Sequence, residues 1–403
     1  MVDKFNEYSM VSVNEAKNII RHQISALDSI IMNLDDAKGY ALYEDIISPI
    51  NVPSFIQSSM DGYAFAFDDF KSAASLTIID TIQAGKSSSN KIQQNQAVRI
   101  FTGAALPIGA DTVLMQEKAK VEGDQLFVLD EKLQKGTNAR SIGADIQESA
   151  IAVKKGTILT PGAIGLLASL GITKVSVTRK PTINIILTGN ELQDIGKPLT
   201  PGQIYESNSH TLKAGLKRFG IKEVNFIKVA DHLEVVTEAI KVSLNKFDLT
   251  ILTGGISVGD FDFVLEACQQ NNVEQLFHKV KQKPGKPLYI GKKETKVVCA
   301  LPGNPASVLS CFYHYVSVVL DQLSNTSLEM KTVKASLTNT YSKQIGLTHF
   351  LKGLYNHVTN EVTILDGQES FKMSAFAMAN CFVELPEDIL EIRSSEIVKI
   401  HLF

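Results

Sequence analysis

Residues 249–260 read LTILTGGISVGD, and this stretch fixes the type of domain to which it belongs. Its first four residues are apolar or β-branched, which is typical of a strand covered on both faces. The glycines that follow let the backbone turn sharply. A helical pattern comes next, at 261–271. The stretch therefore predicts a strand, a glycine turn and a helix, the repeating unit of an α/β domain.

The same alternation extends on both sides of that stretch. Strands joined by helices in this order imply a mostly parallel sheet with helices on both faces and right-handed crossovers. We predict a three-layer α/β domain over 181–326, with ligands bound beyond the carboxyl ends of its strands. The predicted strands are 183–187, 224–229, 249–252, 275–280 and 296–301, and the predicted helices are 209–219, 233–244, 261–271 and 305–323.

The N-terminal part of the chain predicts an elongated linker domain built from 1–50 and 141–180. Apolar residues at helical spacing predict one long helix from Ser12 to about Leu34. Ser12 begins it with the pattern of a capping box. The second part contains a predicted strand at 156–160 and a proline-started helix at 161–170.

Two further regions have the short alternating runs of β-structure. Residues 51–140 predict a β-rich insertion domain, and 327–403 predict a small C-terminal β-barrel. The runs are 76–79, 97–101, 112–115 and 125–129 in the first region, and 333–337, 362–365, 381–385 and 397–402 in the second. The chain is therefore predicted to be a multidomain α/β plus β protein with four domains.

The composition indicates a globular protein without a nucleic-acid or membrane partner. The 403 residues are 44% hydrophobic and 21% charged, which suits several buried cores. Lysine and arginine total 40 against 43 acidic residues, so the net charge of -3 does not favour nucleic acid or anionic lipid. The N-terminus lacks the layout of a signal peptide, and no apolar run is long enough to cross a bilayer. We expect a cytoplasmic protein.

Four glycine- or proline-rich turns follow strands of the predicted α/β domain. Because the carboxyl ends of parallel strands share one edge of a sheet, we expect these turns to lie on one rim. The turns are LTGNE at 187–191, TGGISVGD at 253–260, KPGKP at 283–287 and LPGNP at 301–305.

The turn at 253–260 has the chemistry of a phosphate cradle. Its glycines let backbone amides approach an anion, and Ser257 adds a hydroxyl donor. An isolated glycine pair more often makes only a tight turn, but the neighbouring turns favour anion binding here. The turn lacks the lysine of a Walker loop and the spacing of a dinucleotide fingerprint, which argues against triphosphate hydrolysis and nicotinamide chemistry.

Cationic groups on the expected rim suit a phosphorylated ligand. Lys279, Lys283 and Lys286 would supply point charges for a phosphate or an oxyanion, or would form a solvated loop. The second proline of LPGNP starts a helix near Ser307, which fits either helix initiation or anion capture.

Carboxylates accompany these groups, namely Glu191, Asp231, Asp260 and Asp262. Beside a phosphate cradle they favour a bridging divalent cation. Mg²⁺ takes one or two carboxylates together with substrate phosphates, whereas the eight histidines show no zinc-type spacing. We therefore expect Mg²⁺ as the cofactor.

Six motifs, taken in order, resemble the MoeA-type molybdopterin molybdenumtransferase family, to which the E domain of gephyrin also belongs. Two of them lie in the β-rich domain, where propensity alone predicts ordinary turns. The resemblance covers nearly the whole chain and includes GQIYESN at 202–208. The motifs are SMDGYA from residue 59, RIFTG from residue 99, TGNEL, GGISVGD, KPGKP and LPGNP.

The resemblance implies an enzyme that converts adenylyl-molybdopterin and molybdate to molybdenum cofactor and releases AMP with the help of Mg²⁺. It also implies an elongated four-domain homodimer. The active cleft of such a dimer lies between the α/β domain of one subunit and the Asp-Gly-containing domain of the other. Other proteins of molybdenum cofactor biosynthesis are expected partners.

The resemblance also assigns roles by position. Its catalytic set comprises Asp61, Thr102, Glu191, Asp231, Asp262, Lys279 and Lys283. Within that set Glu191 and Asp262 would hold the metal, and the two lysines would balance the oxyanions. The substrate-binding set comprises Arg140, Asp145, Gly254, Gly255, Ser257, Gly259, Asp260, Lys286, Pro302, Gly303, Asn304, Pro305 and Ser307.

Two positions depart from the family pattern. Asn190 stands where the family often has aspartate, which removes one metal ligand. Ala144 replaces glutamate in the Arg-x-x-Gly-Glu-Asp loop, which removes a carboxylate near the cleft.

Two other functions are alternatives to the insertase hypothesis. An adenylyltransferase that makes the adenylated pterin uses a related α/β domain alone, so the extra domains with Asp61 and Thr102 argue against it. A gephyrin-like scaffold would keep the fold, but the retained carboxylates and lysines favour catalysis. The sequence does not distinguish molybdate from tungstate.

Overall fold

The computed structural model describes residues 10–86, 91–256 and 263–403. These residues divide into two compact units, one made of 10–31, 39–41 and 176–403 and the other of 32–38 and 42–175. The boundaries of the four predicted domains stay predictions. Within the described part of the chain, no helix is long and apolar enough to cross a membrane.

A six-stranded sheet forms the α/β part of the first unit. Its strands Ile183–Thr188 and Leu249–Thr253 are buried along their whole length, as expected for strands covered on both faces. Four strands are parallel neighbours, and the strand Tyr289–Lys293 runs antiparallel to both of its neighbours, so the predicted mostly parallel sheet is confirmed. In spatial order the strands are Asn225–Val229, Ile183–Thr188, Leu249–Thr253, Lys296–Leu301, Tyr289–Lys293 and Glu274–His278.

Helices cover both faces of this sheet. Ile185 belongs to a core that includes Leu212, whereas its neighbour Ile186 belongs to the opposite core with Ile240. Because successive side chains of a strand point to opposite faces, these cores give the three predicted layers. The helices are Asn208–Arg218, Leu233–Lys246, Phe263–Gln270 and a last helix made of Pro305–Cys311, the π-helical turn Phe312–Val316 and Ser317–Ser324.

The prediction of one N-terminal helix from Ser12 to about Leu34 is wrong. The capping box is present, with the Ser12 side chain accepting a hydrogen bond from the Glu15 amide. The helix, however, spans only Val13–Gln23. The chain then becomes extended, and Leu27 donates its amide to the Leu323 carbonyl at 2.9 Å. Of the apolar residues that continue the helical spacing, Ile24 and Leu27 are therefore buried in an extended segment, whereas Ile30 and Ile31 are exposed.

The C-terminal region forms a closed barrel of five strands. Thr348–Asn356 pairs with both Glu361–Ile364 and Cys381–Leu385, which closes the ring. The predicted small β-barrel is confirmed, although sequence analysis missed the strand Thr348–Asn356. The other two strands are Lys331–Leu337 and Ile397–Leu402, and a short helix, Met373–Met378, lies beside them.

The second unit contains the β-rich domain. The predicted proline-started helix of this unit is present as Pro161–Ser169, and Thr160 caps it. The strand expected at 156–160 is replaced by a strand at Ile151–Val153. A helix, Phe67–Ser72, follows the strand Gly62–Phe65 of the central sheet. In spatial order that sheet contains Thr112–Met115, Gly62–Phe65, Gln96–Ile100, Leu76–Ile82, Gln125–Val128 and Ala119–Glu122.

Candidate functional site

The carboxyl ends of three parallel strands open into one cavity of the first unit. Leu187 lies opposite Thr253, and Thr253 lies opposite Leu301, so the turns after these strands leave the sheet side by side. The cavity has a volume of about 690 Å³, and residues of all four predicted turns line it. The prediction that these turns share one rim is therefore confirmed.

The glycine turn begins at Gly254 in a conformation that favours glycine. Its φ is +92°, and a Cβ atom there would lie 2.7 Å from both the carbonyl and the hydroxyl oxygen of Thr188. The Gly254 amide donates to the Leu301 carbonyl at 3.2 Å and is therefore already used. Gly255 lines the cavity next to it. The predicted site residues Ser257, Gly259, Asp260 and Asp262 lie outside the described residues.

The proline turn, Pro302–Pro305, is held from two sides. Asn208 donates its side-chain amide to the Gly303 carbonyl at 2.9 Å. Asn304 donates its side-chain amide to the Ser370 hydroxyl at 3.0 Å, and the Ala306 amide donates to the Ser370 carbonyl at 3.2 Å. The turn lines the cavity together with Ser307, and a loop of the barrel therefore fixes it.

The lysine loop, Lys283–Pro287, brings two of the three predicted lysines to the cavity. Lys283 and Lys286 line it, but Lys279 is not among the lining residues. Lys279 instead turns the backbone with a φ of +68°. Two of the three predicted lysines therefore line the cavity.

Two carboxylates of the described chain, those of Glu191 and Asp231, line the same cavity. Within the described ranges no group of three or more histidine, cysteine, aspartate or glutamate side chains could hold a metal ion by itself. Mg²⁺ keeps several waters and takes one or two protein carboxylates together with substrate phosphates. This donor set therefore fits a hydrated Mg²⁺ that arrives with a phosphorylated substrate.

The barrel supplies cavity residues that sequence analysis missed. The barrel loop, Gly367–Ser370, is held by Lys352, whose side chain is 2% exposed. Its ammonium group donates to the carbonyls of Gly367 at 2.6 Å, Glu369 at 3.2 Å and Lys372 at 3.2 Å. Burial lowers the pKa of Lys352. The barrel residues that line the cavity are Leu347, Gln368 and Ser370, and no sequence motif marks them.

In the second unit, Asp61 and Thr102 contact each other directly. The Thr102 amide and hydroxyl both donate to Asp61 Oδ1 at 2.8 Å. The backbone hydrogen bond, followed by the hydroxyl, lowers the pKa of Asp61. The carboxylate therefore stays charged, with Oδ1 held by two donors.

Arg140 and Asp145 line a separate cavity of about 710 Å³ in the second unit. Arg140 pairs with Gln57 across two short strands, and its guanidinium donates to the Gln57 side-chain carbonyl at 3.5 Å. The structure therefore brings these two predicted residues together.

Comparison with known proteins gives full-length relatives. Family models match residues 11–171, as the MoeA N-terminal region (domain I and II), and 184–322, as a probable molybdopterin binding domain. The molybdopterin molybdenumtransferase of Haemophilus influenzae is 35% identical and aligns over 98% of this chain and 99% of its own. That of Staphylococcus epidermidis is 34% identical over 97% of this chain and 95% of its own.

The fold agrees with that of a solved structure. A crystal structure of the molybdopterin biosynthesis moeA protein from Pyrococcus horikoshii OT3 has a TM-score of 0.83 and 30% sequence identity. It covers 98% of this chain and 100% of that protein. The sequence identity, its coverage and the shared architecture all lead to the same assignment, which confirms the resemblance. The chain belongs to the molybdopterin molybdenumtransferase family.

Proposed function

We propose that the protein is the molybdenum insertase of molybdenum cofactor biosynthesis, acting in the cytoplasm. It takes adenylyl-molybdopterin and molybdate, places molybdenum on the dithiolene sulfurs and releases AMP. The observation that carries the proposal is the cavity that Lys283 and Lys286 line together with Glu191 and Asp231. Family membership supports the same reaction.

The charges around this cavity suit the substrates. Both molybdate and the phosphate anhydride are anions, and lysine ammonium groups are point charges that neutralise such oxygens. Ser307, in the helix that follows the proline turn, adds a hydroxyl donor. Donors fixed before the reaction stabilise charge that develops as the anhydride bond between pterin phosphate and AMP breaks.

Magnesium belongs to the proposal as a cofactor. Glu191, and Asp231 across the rim, would hold it with water and substrate oxygens, and Asp262 is a further ligand by resemblance. When bound, the ion supplies Lewis-acid neutralisation of phosphate oxygens. The two carboxylates would also orient water at the cavity, a role that does not depend on the ion.

The proposal includes a homodimer. Asp61 and Thr102 belong to a different compact unit from the cavity residues. By resemblance to the family, these two residues of one subunit serve the cavity of the other subunit. Asp61 would present its carboxylate with the geometry that Thr102 imposes.

The test measures products from adenylyl-molybdopterin, Mg²⁺ and molybdate, with AMP and molybdenum cofactor quantified separately. Molybdate-dependent formation of both supports the insertase, and Lys283→Ala should lower it at least tenfold, as expected for a lost substrate contact. Lys241→Ala, an exposed lysine of the helix Leu233–Lys246, is the matched control. Lys279→Ala decides whether the lysine outside the cavity contributes.

Two results would replace the proposal. Consumption of ATP and unadenylated molybdopterin would identify an adenylyltransferase. Binding of the adenylated pterin with neither product formed would identify a scaffold. Repeating the assay with tungstate measures oxyanion preference.

A further inference from the structure

The lysine loop rests on a chain of buried polar contacts. The Tyr315 hydroxyl donates to Gln282 Oε1. Gln282 Nε2 in turn donates to the Gly285 carbonyl, at 3.0 Å, in the middle of the loop. The Cys311 thiol donates to the same carbonyl, with Sγ and oxygen 3.6 Å apart. Tyr315, Gln282 and Cys311 are all fully buried.

These buried polar contacts leave the lysine loop little freedom to move toward the last helix. Gly285 has a φ of +85°, and a Cβ atom there would lie 2.4 Å from Cys311 Sγ. Both ends of the Gln282 amide are satisfied, so a shift of the loop would leave a buried polar group unpaired. The Val280 amide also donates to the Lys286 carbonyl at 3.0 Å, which ties the far end of the loop.

Tyr315, the first donor in this series of contacts, lies in the π-helical turn Phe312–Val316. A π turn adds a residue to the helical repeat and so changes the directions of the side chains in it, and such turns are frequent at functional sites. Here Tyr315 reaches Gln282, whereas its neighbour His314 stacks on Phe350 of the barrel, with ring centroids 3.7 Å apart. The turn therefore supports the lysine loop and the barrel at the same time.

We infer that Tyr315 and Gln282 are positioning residues that hold Lys283 and Lys286 at the cavity. The inference rests on the proposed function, because it assumes that these lysines meet the anionic substrate. Neither residue donates a proton to the reaction or breaks a bond. Their effect is to keep two flexible ammonium groups on a loop of fixed shape.

The test compares Tyr315→Phe with Tyr289→Phe. Tyr289 is also buried, but it belongs to the core on the opposite face of the sheet, next to Cys268. Each substitution removes one buried hydroxyl, so both should lower Tm to a similar extent. Only Tyr315→Phe should raise the KM for adenylyl-molybdopterin, by about tenfold with kcat changed less than threefold, as expected when ground-state binding is lost.

A second variant and a binding measurement complete the design. Gln282→Met keeps the length of the side chain but removes both hydrogen bonds, and it should raise KM at least as much as Tyr315→Phe. The Kd for adenylyl-molybdopterin, measured without molybdate, should rise in parallel in both variants. Far-ultraviolet circular dichroism confirms that each variant is folded.

The outcomes separate the inference from the function on which it rests. An inactive wild-type protein refutes the proposed function. An active wild-type protein whose Tyr315→Phe and Gln282→Met variants keep the wild-type KM and Kd overturns the inference, as does a Tyr289→Phe variant with the same rise in KM.

Discussion

Asp248 shows how a buried charge is stabilised. The carboxylate accepts two hydrogen bonds from Arg179, at 2.6 and 3.0 Å, one from Lys296 at 3.1 Å and two from Thr182. Burial by itself would raise the pKa of Asp248, but the hydrogen bonds from Arg179, Thr182 and Lys296 outweigh it and hold the pKa well below its usual range. These residues lie at the amino ends of the parallel strands, away from the cavity.

Replacing this carboxylate should cost stability. Asp248→Ala leaves Arg179 and Lys296 without their common partner, so the free energy of unfolding should fall by about 3 kcal/mol. Urea denaturation measures it. The control is Glu238→Ala, which breaks an exposed pair with Lys241 at 3.2 Å and should cost less than about 0.5 kcal/mol. Equal losses in the two variants would contradict the prediction.

The contact between Asp61 and Thr102 predicts a shift in titration. Thr102→Val removes the hydroxyl but keeps the backbone amide, which is the larger cause of the lowered pKa. The pKa of Asp61 should therefore rise part of the way toward its ordinary value of 3.8. Carbon-13 NMR of labelled aspartate measures it. Thr102→Ser keeps both donors and should not move the pKa, so a shift there would count against this explanation.

The sequence predicts an element correctly where that element depends on its own residues. The glycine and proline turns were found because Gly254 and Pro305 are required locally. The strand Tyr289–Lys293 was missed, because its glycine and two lysines suit a turn and only pairing with neighbouring strands makes it extended. Ser370 was missed for a related reason, since its place at the cavity depends on how the barrel packs.

The π-helical turn predicts sensitivity to acid through His314. Neither of its ring nitrogens has a hydrogen-bond partner. Burial, followed by the charges of Lys17, His401 and Lys399, lowers its pKa well below 6.5. The unfolded chain therefore takes up a proton first as the pH falls below about 6.5, and folding stability decreases from there downward.

The variant His314→Phe keeps a stacked ring but cannot be protonated. Between pH 7 and 5.5 the wild-type protein should lose about 1 kcal/mol more stability than this variant, according to proton linkage at one site. Urea midpoints measured across this pH range give the difference. His357→Phe replaces an exposed histidine as the control and should follow the wild type. Parallel curves for wild type and His314→Phe would refute the assignment.

The proposed dimer can be tested by mixing inactive variants. Asp61→Ala and Lys283→Ala affect residues of different compact units. If each site takes one residue from each subunit, a heterodimer of the two variants contains one intact site. A random mixture should then recover on the order of a quarter of wild-type activity, as twofold symmetry requires.

The measurement is molybdenum cofactor formation after the two variants have been unfolded together and refolded. Each variant refolded alone gives the baseline. Recovery above that baseline supports shared sites. A mixture that stays at the baseline, although it contains heterodimers, would show that both residues act within one subunit.

The barrel loop also bears on the order in which the site is made during translation. The ribosome releases the chain from its N-terminus, so the glycine turn and the lysine loop emerge before Ser370. Until the barrel has folded and Lys352 holds its loop, the proline turn lacks the contacts of Ser370 with Asn304 and Ala306. A nascent chain that has completed only its α/β domain therefore has an unfinished cavity, and the last segment to be synthesised completes its wall.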